Sequence, residues 1–290
     1  MMTFHPPLGV HALVWTGTLD PDAVRSSCEG IAEAGFDLLE VPLLDPTEAD
    51  AAMIRETLDA NGLAASCSLG LDFDTDISST DPQVVEAGAA LLRSALQVTV
   101  ELGSTYLGGP IYSAMAKYTQ PATTQGRNNS LSVLREIAAE ADAHNITIGL
   151  EPVNRYESNL INTVDQALVF IDDLGADNVV VHLDTYHANI EEHDLAEVTR
   201  IAAGAQRLGY VHIGESHRGY LGTGTIVWEP FFAALSEVGY NGPIVFESFS
   251  SAVVSDRFAS ALGVWRNLWD ESAELTAHAY RFLTEHLAVT

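Results

Sequence analysis

The chain has 290 residues, 47% of them hydrophobic, and a net charge of −27 from 40 acidic and 13 basic residues. That length suits one α/β barrel or two smaller domains, and it buries roughly 75% of the unfolded surface, enough to fold without disulfides. So acidic a chain, with Lys117 its single lysine, repels polyanions, which excludes nucleic acid and anionic membranes as partners.

Strand-like runs rich in Val, Ile and Leu alternate with amphipathic stretches along the whole sequence. The first strand is read at 8–15 (LGVHALVW). Asp20-Pro21 opens a helix over 20–34, and Gly35 stands where a C-cap glycine belongs. Strand 36–42 (FDLLEVP) leads to a helix over 46–60, opened by Asp45-Pro46 and stopped by Asn61-Gly62. Strand 63–69 leads to a helix over 81–102, from Asp81-Pro82 to Gly103. Strand 104–109 is followed by a long polar-aromatic loop, 109–126, that suits an active-site lid or an interface, and by a helix over 127–144. Strands at 146–151, 178–184, 210–213 and 243–247 alternate with helices over 162–174, 194–204 and 229–238, and a long helix runs from about 256 to 286. Short runs apolar on both faces are the mark of buried parallel strands. Eight of them without a linker predict an α/β fold: a single (β/α)8 TIM barrel domain over 1–290. No glycine fingerprint of a dinucleotide fold follows the first strand.

In such a barrel the active site lies at the C-terminal ends of the strands. Four residues fall there in succession: Glu151, Asp184, His212 and Glu247, in ITIGLEPVN, NVVVHLDTYH, LGYVHIGES and GPIVFESFS. Any one alone reads as a cap or loop residue. Together they form an oxygen-rich donor set that suits Mn²⁺, Co²⁺ or Mg²⁺, with positions left for water and substrate oxygens. The chelation of vicinal sugar oxygens fits such a site.

The segments EPVNRYE (151–157), HLDTYHANIEE (182–192), VHIGESHRGYLGTG (211–224) and FESF (246–249) resemble those of the ketose 3-epimerases, a family that includes D-tagatose, D-psicose (allulose) and L-ribulose 3-epimerases. GVHALVWTG (9–17) and DISSTDP (76–82) extend the resemblance over nearly the whole chain. It implies a metal held by Glu151, Asp184, His212 and Glu247, with Mn²⁺ first and Co²⁺ or Mg²⁺ as alternatives. It also implies that Glu151 and Glu247 are the catalytic acid/base pair. The reaction would invert C3 of free ketoses such as D-fructose/D-allulose, D-tagatose/D-sorbose or L-ribulose/L-xylulose through a metal-stabilised enediolate. Inversion removes a proton from one face and returns one to the other, which two carboxylates on opposite sides accomplish.

Glu157, His187 and Arg218 match the family's substrate contacts near O1, O2 and O3. Their plain readings are a helix cap near Asn162, a structural histidine, and a surface ion pair with Glu215. Trp15 would wall the apolar face of the sugar, and His11 stands where several members carry an aromatic. The resemblance also implies a homodimer or homotetramer. Rival readings are a hydroxypyruvate isomerase or inosose dehydratase of the same superfamily, an endonuclease IV-like metal nuclease, and a non-catalytic sugar- or metal-binding barrel. The −27 charge opposes the nuclease, and the pair of glutamates opposes mere binding.

No apolar run reaches the roughly 18 to 20 residues of a membrane span. The N-terminal MMTFHPPLGVHALVW lacks the features of a signal peptide. Cys28 and Cys67 sit in apolar surroundings and read as free thiols, so a cytoplasmic location is expected. The acidic helix faces read as a soluble surface or, more sharply, as adaptation to high salt, where charge is screened over roughly 3 Å at 1 M.

Overall fold

In the computed structural model, which describes residues 6–289, each apolar run becomes a strand of one parallel sheet. The strands are β1 (Leu8–His11), β2 (Leu38–Pro42), β3 (Ala64–Ser68), β4 (Tyr106–Gly109), β5 (Thr147–Leu150), β6 (Val179–Asp184), β7 (Leu208–Ile213) and β8 (Ile244–Phe246). They pair in chain order, and β8 closes on β1 with Ile244 opposite Leu8. The result is the expected closed (β/α)8 barrel.

Helices pack around it: α1 (Pro21–Ala34), α2 (Ala51–Asn61), α3 (Pro82–Leu102), α4 (Thr124–Asp142), α5 (Val164–Leu174), α6 (Thr185–Glu191), α7 (Leu195–Gly204), α8 (Trp228–Glu237), α9 (Asp256–Leu262) and α10 (Ser272–Val289). Asp20 caps α1 by accepting from the Ala23 amide, and Asp81 caps α3 through the Gln83 amide. Gly35 and Gly103 close these helices with φ of 100° and 72°. Between helices and barrel lies the main core, which includes Val24, Cys28 and Ile31 of α1, Phe231 and Leu235 of α8, and Leu275 and Leu283 of α10. Burying each such side chain contributes about 1.5–3 kcal/mol.

The structure corrects four local expectations. The second helix starts at Ala51, because Asp50 caps it through the Met53 amide. Asp45 instead folds a tight turn, accepting from the Thr47 amide and hydroxyl. The C-terminal helix is two helices: Gly263, at φ 68°, ends α9, and Trp269 is buried in the link to α10 with its indole donating to the Ser248 hydroxyl. The first strand stops at His11, and Ala12–Val14 turn into a 3₁₀ helix. The short α6 was not foreseen. In the 109–126 segment Ile111, Tyr112, Ser113 and Ala114 are buried, while residues 119–125 are exposed and the last three residues, 124–126, already belong to α4.

The barrel interior is aromatic and polar. Tyr106 and Tyr210 stack with centroids 4.0 Å apart, beside Leu38 and Val245, and His182 meets both rings edge-on. Between β6 and β7 the register shifts: Val181 faces Leu208, but His182 faces Tyr210. Gly209 is the extra residue, as in a β-bulge. Its consequence is that Asp184 pairs with His212 rather than with Val211.

Candidate active site

All four strand-end residues are buried on one rim of the barrel. Glu151 follows β5, and its amide donates to the Gly109 carbonyl across the gap to β4. Gly109 itself has φ 118° and lies against the Leu69 carbonyl, where a side chain has no room. Glu247 follows β8, with its amide donating to the Ile213 carbonyl. Asp184 ends β6 and also caps α6: its Oδ1 accepts from the His187 amide at 2.9 Å. Its Oδ2 is thereby left to face the site.

His212 stands at the centre. Its Nδ1 lies 3.6 Å from Glu151 Oε1, 3.7 Å from Asp184 Oδ2 and 3.6 Å from Glu247 Oε1. Among the described residues, His212 Nδ1 and Asp184 Oδ2 are buried without a hydrogen-bond partner. A buried polar atom without a partner costs about 1–3 kcal/mol. Atoms of Asp184, His212 and Glu247 all lie within 4.8 Å of one another, as do atoms of Glu151, Asp184 and His187. Three converging carboxylates and an imidazole, with Asp184 Oδ2 and His212 Nδ1 left unpartnered, make a site that fits a divalent cation. Burial pushes the Glu151 and Glu247 carboxyls up to about 7. Burial also opposes ionisation of Asp184, but His187, His212 and Arg218 outweigh it and hold the carboxyl below its usual range. Burial would lower the His212 imidazole, yet Glu40 and Glu247 raise it well above its ordinary value.

Glu40, from the middle of β2, belongs to this centre and was missed in the sequence. It is fully buried, and its Oε2 lies 2.7 Å from His212 Nε2 and 2.7 Å from the Tyr210 hydroxyl. The signal was available: a carboxylate inside an apolar run must find partners. His182, also buried, is a second such residue in NVVVHLD, and its ring lies edge-on to His212 at 4.0 Å.

Glu157, His187 and Arg218 come together on one side of the cavity. The His187 Nδ1 accepts from the Asn154 backbone and side-chain amides at 3.1 and 2.9 Å. Its Nε2 therefore faces the site, 3.8 Å from Glu151 and 4.0 Å from Glu157. Glu157 caps no helix, since Thr163 caps α5; its Oε1 accepts from Asn154. The Arg218 guanidinium bonds the Glu247 carboxylate, while only its backbone amide reaches Glu215, donating to the carbonyl; the guanidinium lies by the rings of Tyr186 and Phe249, 3.9 and 4.8 Å from their centroids. It takes a left-handed backbone, φ 63°. The buried Glu215 holds that loop by accepting from the amides of Ser216 and Gly222 and from the Trp228 indole.

These groups line a cavity of about 430 Å³, within the range of small-molecule sites. Leu13, Leu71, Met115, Val153 and Phe249 give it an apolar lining as well. His11 also lines it, with Nε2 3.5 Å from Glu40 and 3.3 Å from Ser68; burial lowers its imidazole to about 4, so the ring is neutral. Trp15 is not part of this lining. Its indole donates to Thr276 of α10 and packs against Gly30 of α1, because the chain leaves β1 after His11. A pocket with two ionisable glutamates near 7, an arginine and a cation site can bind a polyol and move a proton to or from carbon.

Residues 28–285 match the family described as xylose isomerase-like TIM barrel. The chain is 51% identical over 280 residues to a ketose 3-epimerase of Arthrobacter globiformis, covering 97% of this chain and 96% of that one. It is 47% identical to an L-ribulose 3-epimerase of Methylomonas sp. (strain DH-1), with 96% of each covered. The structure of a D-allulose 3-epimerase from Methylomonas sp. in complex with D-allulose superposes with a TM-score of 0.94 at 46% identity, over 98% of this chain and 99% of that one.

Proposed function

The chain belongs to the xylose isomerase-like TIM-barrel family and, within it, to the ketose 3-epimerases, and on that premise we propose how its residues invert a ketose at C3. Glu151 and Glu247 are the acid/base pair. The observation that carries this reading is their placement: they directly follow β5 and β8, with β6 and β7 between, each 3.6 Å from the same His212 nitrogen. They thus flank the Asp184–His212 pair from two sides. One carboxylate removes the C3 proton, made acidic by the C2 carbonyl, and the other returns a proton to the opposite face. Arg218 bonds Glu247 and not Glu151, so the two carboxyls have unlike partners and can hold unlike protonation states.

Glu151, Asp184, His212 and Glu247 would hold the cation, with Mn²⁺ preferred by the hard donors and Co²⁺ or Mg²⁺ acceptable. When bound, it supplies positive charge where the enediolate oxygens gain negative charge. Glu157, His187 and Arg218 bind the hydroxyls at the C1–C3 end, and Phe249 with its neighbours covers the apolar face. The relatives' names make D-allulose and L-ribulose the first substrates to try. The comparisons support an epimerase over a hydroxypyruvate isomerase, an inosose dehydratase or an endonuclease IV-like nuclease.

No helix among the described residues is long and apolar enough to cross a membrane. Two free buried cysteines, Cys28 and Cys67, support residence in the cytoplasm. We take the chain to work as a single barrel domain in a homodimer or homotetramer, which light scattering on the purified protein decides.

The test is to incubate the protein with Mn²⁺ and, in turn, D-allulose, D-fructose, D-tagatose and L-ribulose, and to resolve the C3 epimers by chromatography. Conversion of at least one is expected, and conversion of none overturns the reading. Glu151→Gln and Glu247→Gln should each lose roughly 10²- to 10⁴-fold in kcat. Near-full activity in either removes that residue from the pair.

A further inference from the structure

His212 turns Nδ1 to the carboxylates, which raises the question of what holds it there. We infer that Glu40 is a positioning residue: from inside the barrel it fixes the tautomer and orientation of His212, and so sets how tightly the centre holds its cation. This rests on the metal-site reading above.

The direction of each hydrogen bond follows from valence. An ionised carboxylate only accepts. Glu40 Oε2 meets both the Tyr210 hydroxyl and His212 Nε2, so both must donate. Tyr210 has one proton, given to Glu40, so the Ser66 hydroxyl, 2.6 Å away, donates to Tyr210. His212 must then carry a proton on Nε2. Nδ1 is then the nitrogen that gives up its proton to a cation and turns its lone pair to the cluster of Glu151, Asp184 and Glu247. On its other oxygen Glu40 faces His11 Nε2 at 3.5 Å. The carboxylate thus joins the ligand-bearing β7 to β1 and, through Tyr210 and Ser66, to β3. A glutamine in its place could turn its amide NH₂ toward His212 Nε2. That would force Nε2 to accept and put the proton on Nδ1, where a cation belongs. Such outer carboxylates also make an imidazole a better donor, and their loss typically weakens metal binding by roughly 10- to 100-fold.

The experiment titrates metal-stripped protein with Mn²⁺ by calorimetry, for the wild type, Glu40→Gln and Tyr210→Phe. Glu40→Gln should weaken Mn²⁺ binding by roughly 10- to 100-fold, while the KM for a ketose at saturating Mn²⁺ stays unchanged. Tyr210→Phe, which removes a donor to Glu40 but leaves the Glu40–His212 bond, should bind Mn²⁺ like the wild type. Wild-type affinity in Glu40→Gln overturns the inference. So does an equal loss in both variants, which would mark a general packing role. A wild type that binds no Mn²⁺ overturns the metal reading itself. Should Glu40→Gln not fold, the imidazole ¹⁵N spectrum of Zn²⁺-loaded wild-type protein decides. The inference requires His212 protonated at Nε2 and not at Nδ1, and the reverse contradicts it.

Discussion

Glu151 and Glu247 are the same side chain in two settings. Both lie in the same buried cluster, and burial brings both carboxyls to about 7. Asp184 beside them is held low by His187, His212 and Arg218 despite burial. A cation binds ionised carboxylates and a neutral imidazole, so below about 7 it must displace protons from Glu151 and Glu247, and it must also displace the proton of His212, whose imidazole Glu40 and Glu247 raise well above its ordinary value. The expected outcome is that Mn²⁺ affinity falls as pH drops from 8 to 6. Calorimetry in two buffers of different ionisation enthalpy should show protons released at pH 6. Binding that is flat across this range with no proton release contradicts these carboxyls as ligands. The four rim residues could be singled out in the sequence because each follows an apolar run, where a carboxylate or imidazole has no packing reason to be. Glu40 and His182 could not be placed, because a residue in mid-strand points into the barrel or out of it according to a register that only the closed sheet defines.

At the level of elements, the bulge at Gly209 sets the register of the rim. It lets Asp184 and His212 face each other across β6 and β7. A Cβ at Gly209 would collide with the Val180 side chain. Gly209→Ala should therefore destabilise the protein by about 1–3 kcal/mol, the usual cost of overpacking, read as a lower midpoint in urea. It should also weaken Mn²⁺ binding, because His212 is displaced. Unchanged stability would show that the bulge absorbs a side chain freely. Strands and capped helices were legible because short apolar runs and Asp-Pro…Gly pairs are local signals, as at α1 and α3. The failures were non-local. Trp15, at the end of a first strand read over 8–15, was expected to wall the apolar face of the sugar. The chain instead turns at Ala12 and sends the indole to α1 and α10. The seven-residue α6 had too little periodicity to announce itself, and its cap, Asp184, was already explained as a ligand.

Over the whole molecule, a charge of −27 is a self-repulsion that salt relieves. Arg93 already pairs with two glutamates, Glu136 and Glu140, and Arg155 and Arg200 hold Glu191 and Glu237, so few cations remain for so many anions. The melting temperature should rise between low salt and 1 M NaCl, in the manner of a salt-adapted surface. A protein equally stable and active in both would mark the acidity as mere solubility. The barrel, the rim and the two glutamates converge on one claim: the enzyme carries out two-sided proton transfer at C3. Its most direct measurement follows Mn²⁺-loaded protein turning over a ketose in D₂O, with the position of deuterium read by NMR at early conversion. Two carboxylates on opposite faces predict one deuterium at C3 of the product epimer, with recovered substrate still unlabelled. Product without C3 deuterium, or equal label in both epimers from the start, would contradict it.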